Sequence, residues 1–165
     1  ADRVVFPGQG AMPDCLRELS ERNLTESVID AARNKPFLGI CIGLQMLNNF
    51  SEEGNIKGLE IIDGKVIKFK PKNHFNKVPH MGWNKVHRPK NHFMWNGISN
   101  NERFYFVHSY YVQPQNRDLV AGECVYEKPF CCAVSKENIF AVQFHPEKSS
   151  QAGLQLLQNF TRWKV

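Results

Sequence analysis

Leu38-Gly39-Ile40-Cys41-Ile42-Gly43-Leu44 is the segment that most narrows the folds open to this chain. An apolar run, Phe37–Ile40, enters a cysteine and a helical pattern leaves it, with glycine two residues before and two after. A strand that turns directly into a helix at one exposed residue is a nucleophile elbow, here written with cysteine in place of serine. The turn is so tight that side chains two positions either side would collide, and the glycines remove them. The central residue is forced into a strained backbone conformation that exposes its sulfur. At a helix N-terminus, free N–H groups and the helix dipole are expected to favour thiolate on Cys41. The Ile42 N–H is expected to point where an oxyanion would form. The pattern alone also fits a small buried cysteine between two packing glycines.

A strand-to-helix joint of this kind needs an α/β setting, and the flanking sequence supplies one. Arg3–Phe6 reads as a buried strand stopped by the tight loop Pro7-Gly8-Gln9-Gly10. Helical spacing follows over Met12–Asn23 and Thr25–Asn34, then the strand Phe37–Ile40, then helical spacing over Ile42–Phe50. Two helices between two buried strands make a βαβ unit, whose crossover is right-handed. The second half changes to short β-rich runs: Lys65–Phe69, Gly82–His87, Arg103–Val112, Leu119–Tyr126, Phe130–Ser135 and Ile139–Phe144. These predict hairpins and a largely antiparallel extension of the sheet. Gln151–Trp163 closes the chain as an amphipathic helix. The expected architecture is an α/β three-layer sandwich around a mixed, centrally parallel sheet, built as one domain from 165 residues.

A second chemical feature lies at Ala141-Val142-Gln143-Phe144-His145-Pro146-Glu147. A strand delivers His145 at its end, and Pro146 restricts that residue to extended backbone. Residues two apart in an extended chain face one side, so His145 and Glu147 can meet. That is the base and orienting carboxylate of a Cys-His-Glu triad, although a histidine in such a turn can also be purely structural. Parallel strands ending on one sheet edge would bring His145 to Cys41. Cys15, Cys124, Cys131 and Cys132 lack glycines on both sides and read as core or surface thiols.

The formal net charge of +5 is unevenly spread. No acidic residue stands between Asp63 and Glu102, a stretch that carries eight lysines and arginines and four histidines. Three readings fit it: a solvated hairpin edge, a docking face for an acidic partner or phosphorylated substrate, and a nucleic-acid surface. No recognised nucleic-acid motif accompanies the charge. The histidines show no ligand spacing, so neither a metal site nor a cofactor is expected. Five scattered cysteines and no basic-then-apolar opening fit a cytoplasmic setting. The longest nearly apolar run, Pro36–Leu47, is shorter than the roughly 20 residues of a membrane span.

Pro7-Gly8-Gln9-Gly10, Leu38–Gln45 and Phe144–Glu147 together resemble the class I glutamine amidotransferases along the whole chain. The resemblance implies that Cys41 attacks the glutamine side-chain carbonyl to give a glutamyl thioester and ammonia. It implies that His145 carries the proton and that Glu147 orients the ring. The oxyanion hole would be formed by the N–H groups of Ile42 and Gln9, after a flip of the Gly-rich loop. Gly8, Gly10, Gln45, Ser109 and Tyr110 would bind glutamine. Pro79–Asn84 (PHMGWN), Phe106–Tyr111 (FVHSYY) and the GQGAM opening resemble members that pass ammonia to a (βα)8-barrel cyclase/synthase subunit in histidine biosynthesis. Pro79, His80, Met81 and Trp83 would then face that partner. Related enzymes use the same triad for anthranilate, GMP, CTP or pyridoxal phosphate synthesis, and a non-catalytic basic binding module is a further alternative. Family members begin with one more strand and helix, so the domain at 1–165 is expected to lack that first unit.

Overall fold

The computed structural model describes residues 1–165. Its elements run β1 (Val4–Gly8), α1 (Met12–Glu21), α2 (Thr25–Asn34), β2 (Phe37–Cys41), α3 (Ile42–Met46), β3 (Asn48–Ser51), β4 (Ile56–Lys57) and β5 (Ile62–Lys68). They continue with β6 (His80–Val86), β7 (Glu102–His108), β8 (Tyr110–Pro114), β9 (Val120–Tyr126), β10 (Lys128–Lys136), β11 (Ile139–Val142) and α4 (Ser150–Arg162). The main sheet has the order β1-β2-β11-β10-β8-β5-β3-β4, with β9 also on β10, and β6–β7 form a separate antiparallel pair. Helices flank this mixed sheet. No helix is long and apolar enough to cross a membrane.

The centre is parallel, as expected from the unbroken apolar runs. β2 runs parallel to β1 on one side and to β11 on the other. Every residue of β2 and β11 is buried, so these strands show no alternation. The register pairs Ile40 with Val142, which brings the residues following both strands to the same edge. Phe104, Phe106, Phe140 and Phe144 are buried together, with the Phe104 and Phe144 rings 4.1 Å apart. Each such side chain contributes about 2–3 kcal/mol of burial, enough to clamp β7 across the end of β11.

Four local expectations are corrected. Arg3–Phe6 reads as a buried strand, yet β1 pairs only with β2 and buries only Phe6. The helix expected over Ile42–Phe50 stops at Met46 and the chain turns into β3. The buried Asn48 side chain causes the stop: it donates to the Leu44 and Gln45 carbonyls at 3.0 and 3.3 Å, satisfying groups that another helical turn would have used. The single strand expected over Arg103–Val112 is two strands in two sheets, parted at Ser109. Ser109 lends its carbonyl to Phe69 N at 3.0 Å, while the buried positions 104, 106, 108, 112 and 114 keep one period of two across the break. Finally, β6 begins at His80 rather than Gly82.

Candidate active site

The elbow is present at the junction of β2 and α3. Cys41 has φ 56° and ψ −110°, a strained conformation for a residue with a side chain. The flanking glycines are required, but mainly by neighbouring strands rather than by each other. A Cβ on Gly39 would lie 2.9 Å from the Ala141 Cβ of β11 and 3.2 Å from the Gly43 carbonyl. A Cβ on Gly43 would fall on the Phe6 carbonyl oxygen of β1. Gly8 sits opposite Cys41 in the register, and a Cβ there would lie 2.7 Å from the Ile42 Cβ. The elbow is therefore pressed against the β1 backbone at Gly43 and against the Gly-rich loop through the Ile42 side chain at Gly8.

Cys41 lines a cleft of about 370 Å³ together with Gly8, Gln9, Gly10, Ile42 and Gln45. Ser109, Tyr110 and His145 line the same cleft, so the structure gathers the expected glutamine-binding positions around one cysteine. His108, Glu53 and Lys148 also line the cleft and were not anticipated. Gly10 has φ +86°, a left-handed conformation that suits glycine.

His145 is held on three sides. Its backbone N donates to the Tyr105 carbonyl at 3.0 Å, and its own carbonyl accepts from Ser149 Oγ at 2.6 Å. Its Nδ1 meets Glu147 Oε1 at 2.7 Å. With Nδ1–H donated to the carboxylate, Nε2 carries the lone pair; this atom is buried and has no partner.

At Cys41 the Ile42 N–H favours thiolate, and burial opposes it. Burial pushes the Cys41 thiol up to about 11, and the Glu147 charge adds to the rise. The Ile42 N–H and the Gln143 carboxamide both favour thiolate but do not outweigh the lost hydration. A five-residue helix offers only a short dipole against that cost.

Of the four positions expected to face a partner, Met81 and Trp83 are 63% and 50% exposed. Strand alternation puts His80 on the other face of β6, where it is buried, contrary to expectation. Its Nδ1 contacts His108 Nε2 at 2.9 Å, and His108 Nδ1 contacts the Tyr110 carbonyl at 2.7 Å. Asn84 Nδ2 donates to His80 Nε2 at 3.2 Å, which sets the direction of the chain: each ring donates from Nδ1. Pro79 lines the cleft itself. The basic segment is tied back by Glu127, whose carboxylate accepts from the backbone N–H of Lys72 and Asn73 at 3.0 Å each.

The sequence model of the family described as Glutamine amidotransferase class-I matches residues 2–163. Imidazole glycerol phosphate synthase subunit HisH of Nitrosospira multiformis is 62% identical over 99% of this chain and 80% of its own length. The subunit of the same name from Dechloromonas aromatica is 57% identical, covering 99% and 79%. Among solved structures, a glutamine amidotransferase superposes with a TM-score of 0.69 at 14% identity, over 97% of this chain and 79% of the other. A glutamine amidotransferase from Thermotoga maritima gives 0.64 at 19% identity, over 98% and 63%.

Proposed function

The chain belongs to the class-I glutamine amidotransferases, and from that premise we propose that it is the glutaminase subunit of an imidazole glycerol phosphate synthase, in histidine biosynthesis. The carrying observation is a buried His145 whose Nδ1 is occupied by Glu147 while Nε2 is free, at the strand edge that also ends in Cys41. The HisH relatives support the pathway.

In this reading each group has a task. Gln45 spends both amide hydrogens on protein, one on the Tyr110 carbonyl at 3.1 Å and one on Gln143 Oε1 at 3.0 Å. Its Oε1 is buried and unpartnered, so it is the acceptor for the α-ammonium of glutamine. Gly8, Gly10 and the main chain at Ser109 and Tyr110 enclose the same end. His145 Nε2 takes the thiol proton as sulfur attacks the side-chain carbonyl carbon. The oxyanion is met by the N–H groups of Ile42 and Gln9. His145 then gives its proton to the leaving nitrogen, ammonia departs and a thioester remains. Water, deprotonated by the same ring, hydrolyses it to glutamate and the free thiol. Glu147 holds the ring and stabilises its charged form.

The partner is a synthase subunit, proposed to be a (βα)8 barrel that receives the ammonia through an internal channel. The exposed Met81 and Trp83, beside Pro79 at the cleft, form the docking face. Glutamate release from glutamine, with and without that barrel subunit and its nucleotide substrate, tests the assignment. Release should depend on the partner and vanish in Cys41→Ala. Release indifferent to this partner would assign the chain to a different synthase.

A further inference from the structure

Gln143 lies one residue beyond β11 and two before His145, and its side chain is completely buried. A buried carboxamide must find partners for both ends. Its oxygen accepts from Gln45 Nε2 at 3.0 Å, and its nitrogen lies 3.7 Å from Cys41 Sγ. The orientation follows from the network. Tyr110 offers Gln45 a main-chain carbonyl, which can only accept, so Gln45 must present its nitrogen end there. The second hydrogen on that nitrogen then points at Gln143, which must answer with oxygen. What Gln143 turns to the sulfur is therefore its N–H.

We propose that Gln143 is a further catalytic residue, donating its carboxamide N–H to Cys41 Sγ and stabilising the negative charge that the sulfur acquires. The proposal rests on the glutaminase reading for its substrate but not for its contact. As the S–H proton passes to His145 Nε2, the electron pair left on sulfur meets two donors, Ile42 N–H and Gln143 Nε2–H, before the carbon–sulfur bond forms. Gln143 also joins the nucleophile to Gln45, so the residue that seats the substrate and the sulfur that attacks it share one amide. The ionisable groups around this sulfur are His145 and Glu147 beyond β11, Cys15 on α1, His108 on β7, Glu53 after β3 and Lys148. Among the side chains near the sulfur, Gln143 is the one that donates a hydrogen bond to it.

The test is the pH dependence of Cys41 alkylation by iodoacetamide, followed on the Cys41 peptide by mass, in the wild type, Gln143→Met and the isosteric Gln143→Glu. This reading needs no glutamine and so stands apart from the assignment of substrate. Gln143→Met should move the profile to higher pH and slow alkylation at pH 8 roughly tenfold, the scale of a hydrogen bond to a charged group. Gln143→Glu keeps the acceptor for Gln45 but faces the sulfur with negative charge, and should slow it further. In parallel, kcat for glutamine should fall at least as far in Gln143→Glu, which keeps the Gln45 contact, with KM changed less than about threefold there. A folded Gln143→Met or Gln143→Glu with an unmoved profile overturns the proposal. Failure of both variants to fold also overturns it, since the role would then be structural.

Discussion

The ring nitrogens of His80 and His108 meet at 2.9 Å between β6 and β7, buried and on the opposite face of the hairpin from Trp83. Burial pushes His80 down to about 4 and His108 to about 3, so both are neutral in the fold. Unfolded, each ring takes a proton near pH ~6.5. Between about pH 6.5 and 4 the unfolded chain therefore binds more protons than the folded one, and stability falls as pH falls. Each ring steepens that fall by up to about 1.4 kcal/mol per pH unit. Urea unfolding from pH 7 to pH 4.5 should show the slope, and His80→Gln with His108→Gln should flatten it. An identical acid limb in the double variant would contradict the assignment.

Gly43 is in van der Waals conflict with any side chain, because the Phe6 carbonyl already occupies the Cβ position. Gly43→Ala should cost about 3 kcal/mol or more, as backbone must move to admit the methyl. Gly39→Ala meets the Ala141 methyl at 2.9 Å instead and should cost less. Denaturant midpoints for the two variants give the order directly.

Glu147 sets the proton arrangement of His145 while its own side chain stays 46% exposed. Glu147→Gln should lower kcat by roughly ten- to a hundredfold through loss of ring orientation and charge stabilisation. The fold should not change. Glutaminase turnover beside a thermal melt measures both.

Trp83 is half exposed and stacks edge-on against Tyr105, with ring centroids 6.1 Å apart. Trp83→Ala should weaken capture by the partner synthase subunit by roughly ten- to a hundredfold, the range for an aromatic anchor. A titration of the two subunits by calorimetry is the check. Affinity equal to wild type would move the docking face elsewhere.

What could be read from the chain and what could not divides by the range of the forces. Cys41 and His145 announce themselves because each sits at a local exception: glycines two residues either side, and a proline directly after. Gln143 carried the same spacing-of-two argument that paired His145 with Glu147, but a glutamine in an apolar run gave no reason to apply it. The His80–His108 contact is set by the register of β6 on β7 across 28 residues, and no short window contains it. Likewise the break at Ser109 leaves the alternation of buried residues uninterrupted, so periodicity alone carries the strand straight through it. The end of α3 depended on a buried asparagine turning back on its own helix, a competition between side chain and main chain that residue type only suggests.

The backbone contacts around the elbow also determine what mutation can explore. In a saturation library read by activity, positions 39 and 43 should return glycine almost alone, and position 8 should come close to that. Cys41, held at a positive φ by those same contacts, is open to chemical replacement of similar size. New chemistry can thus be sampled at one site in this loop while its immediate frame stays fixed, so a lineage that departs from cysteine here would be expected to keep the glycines.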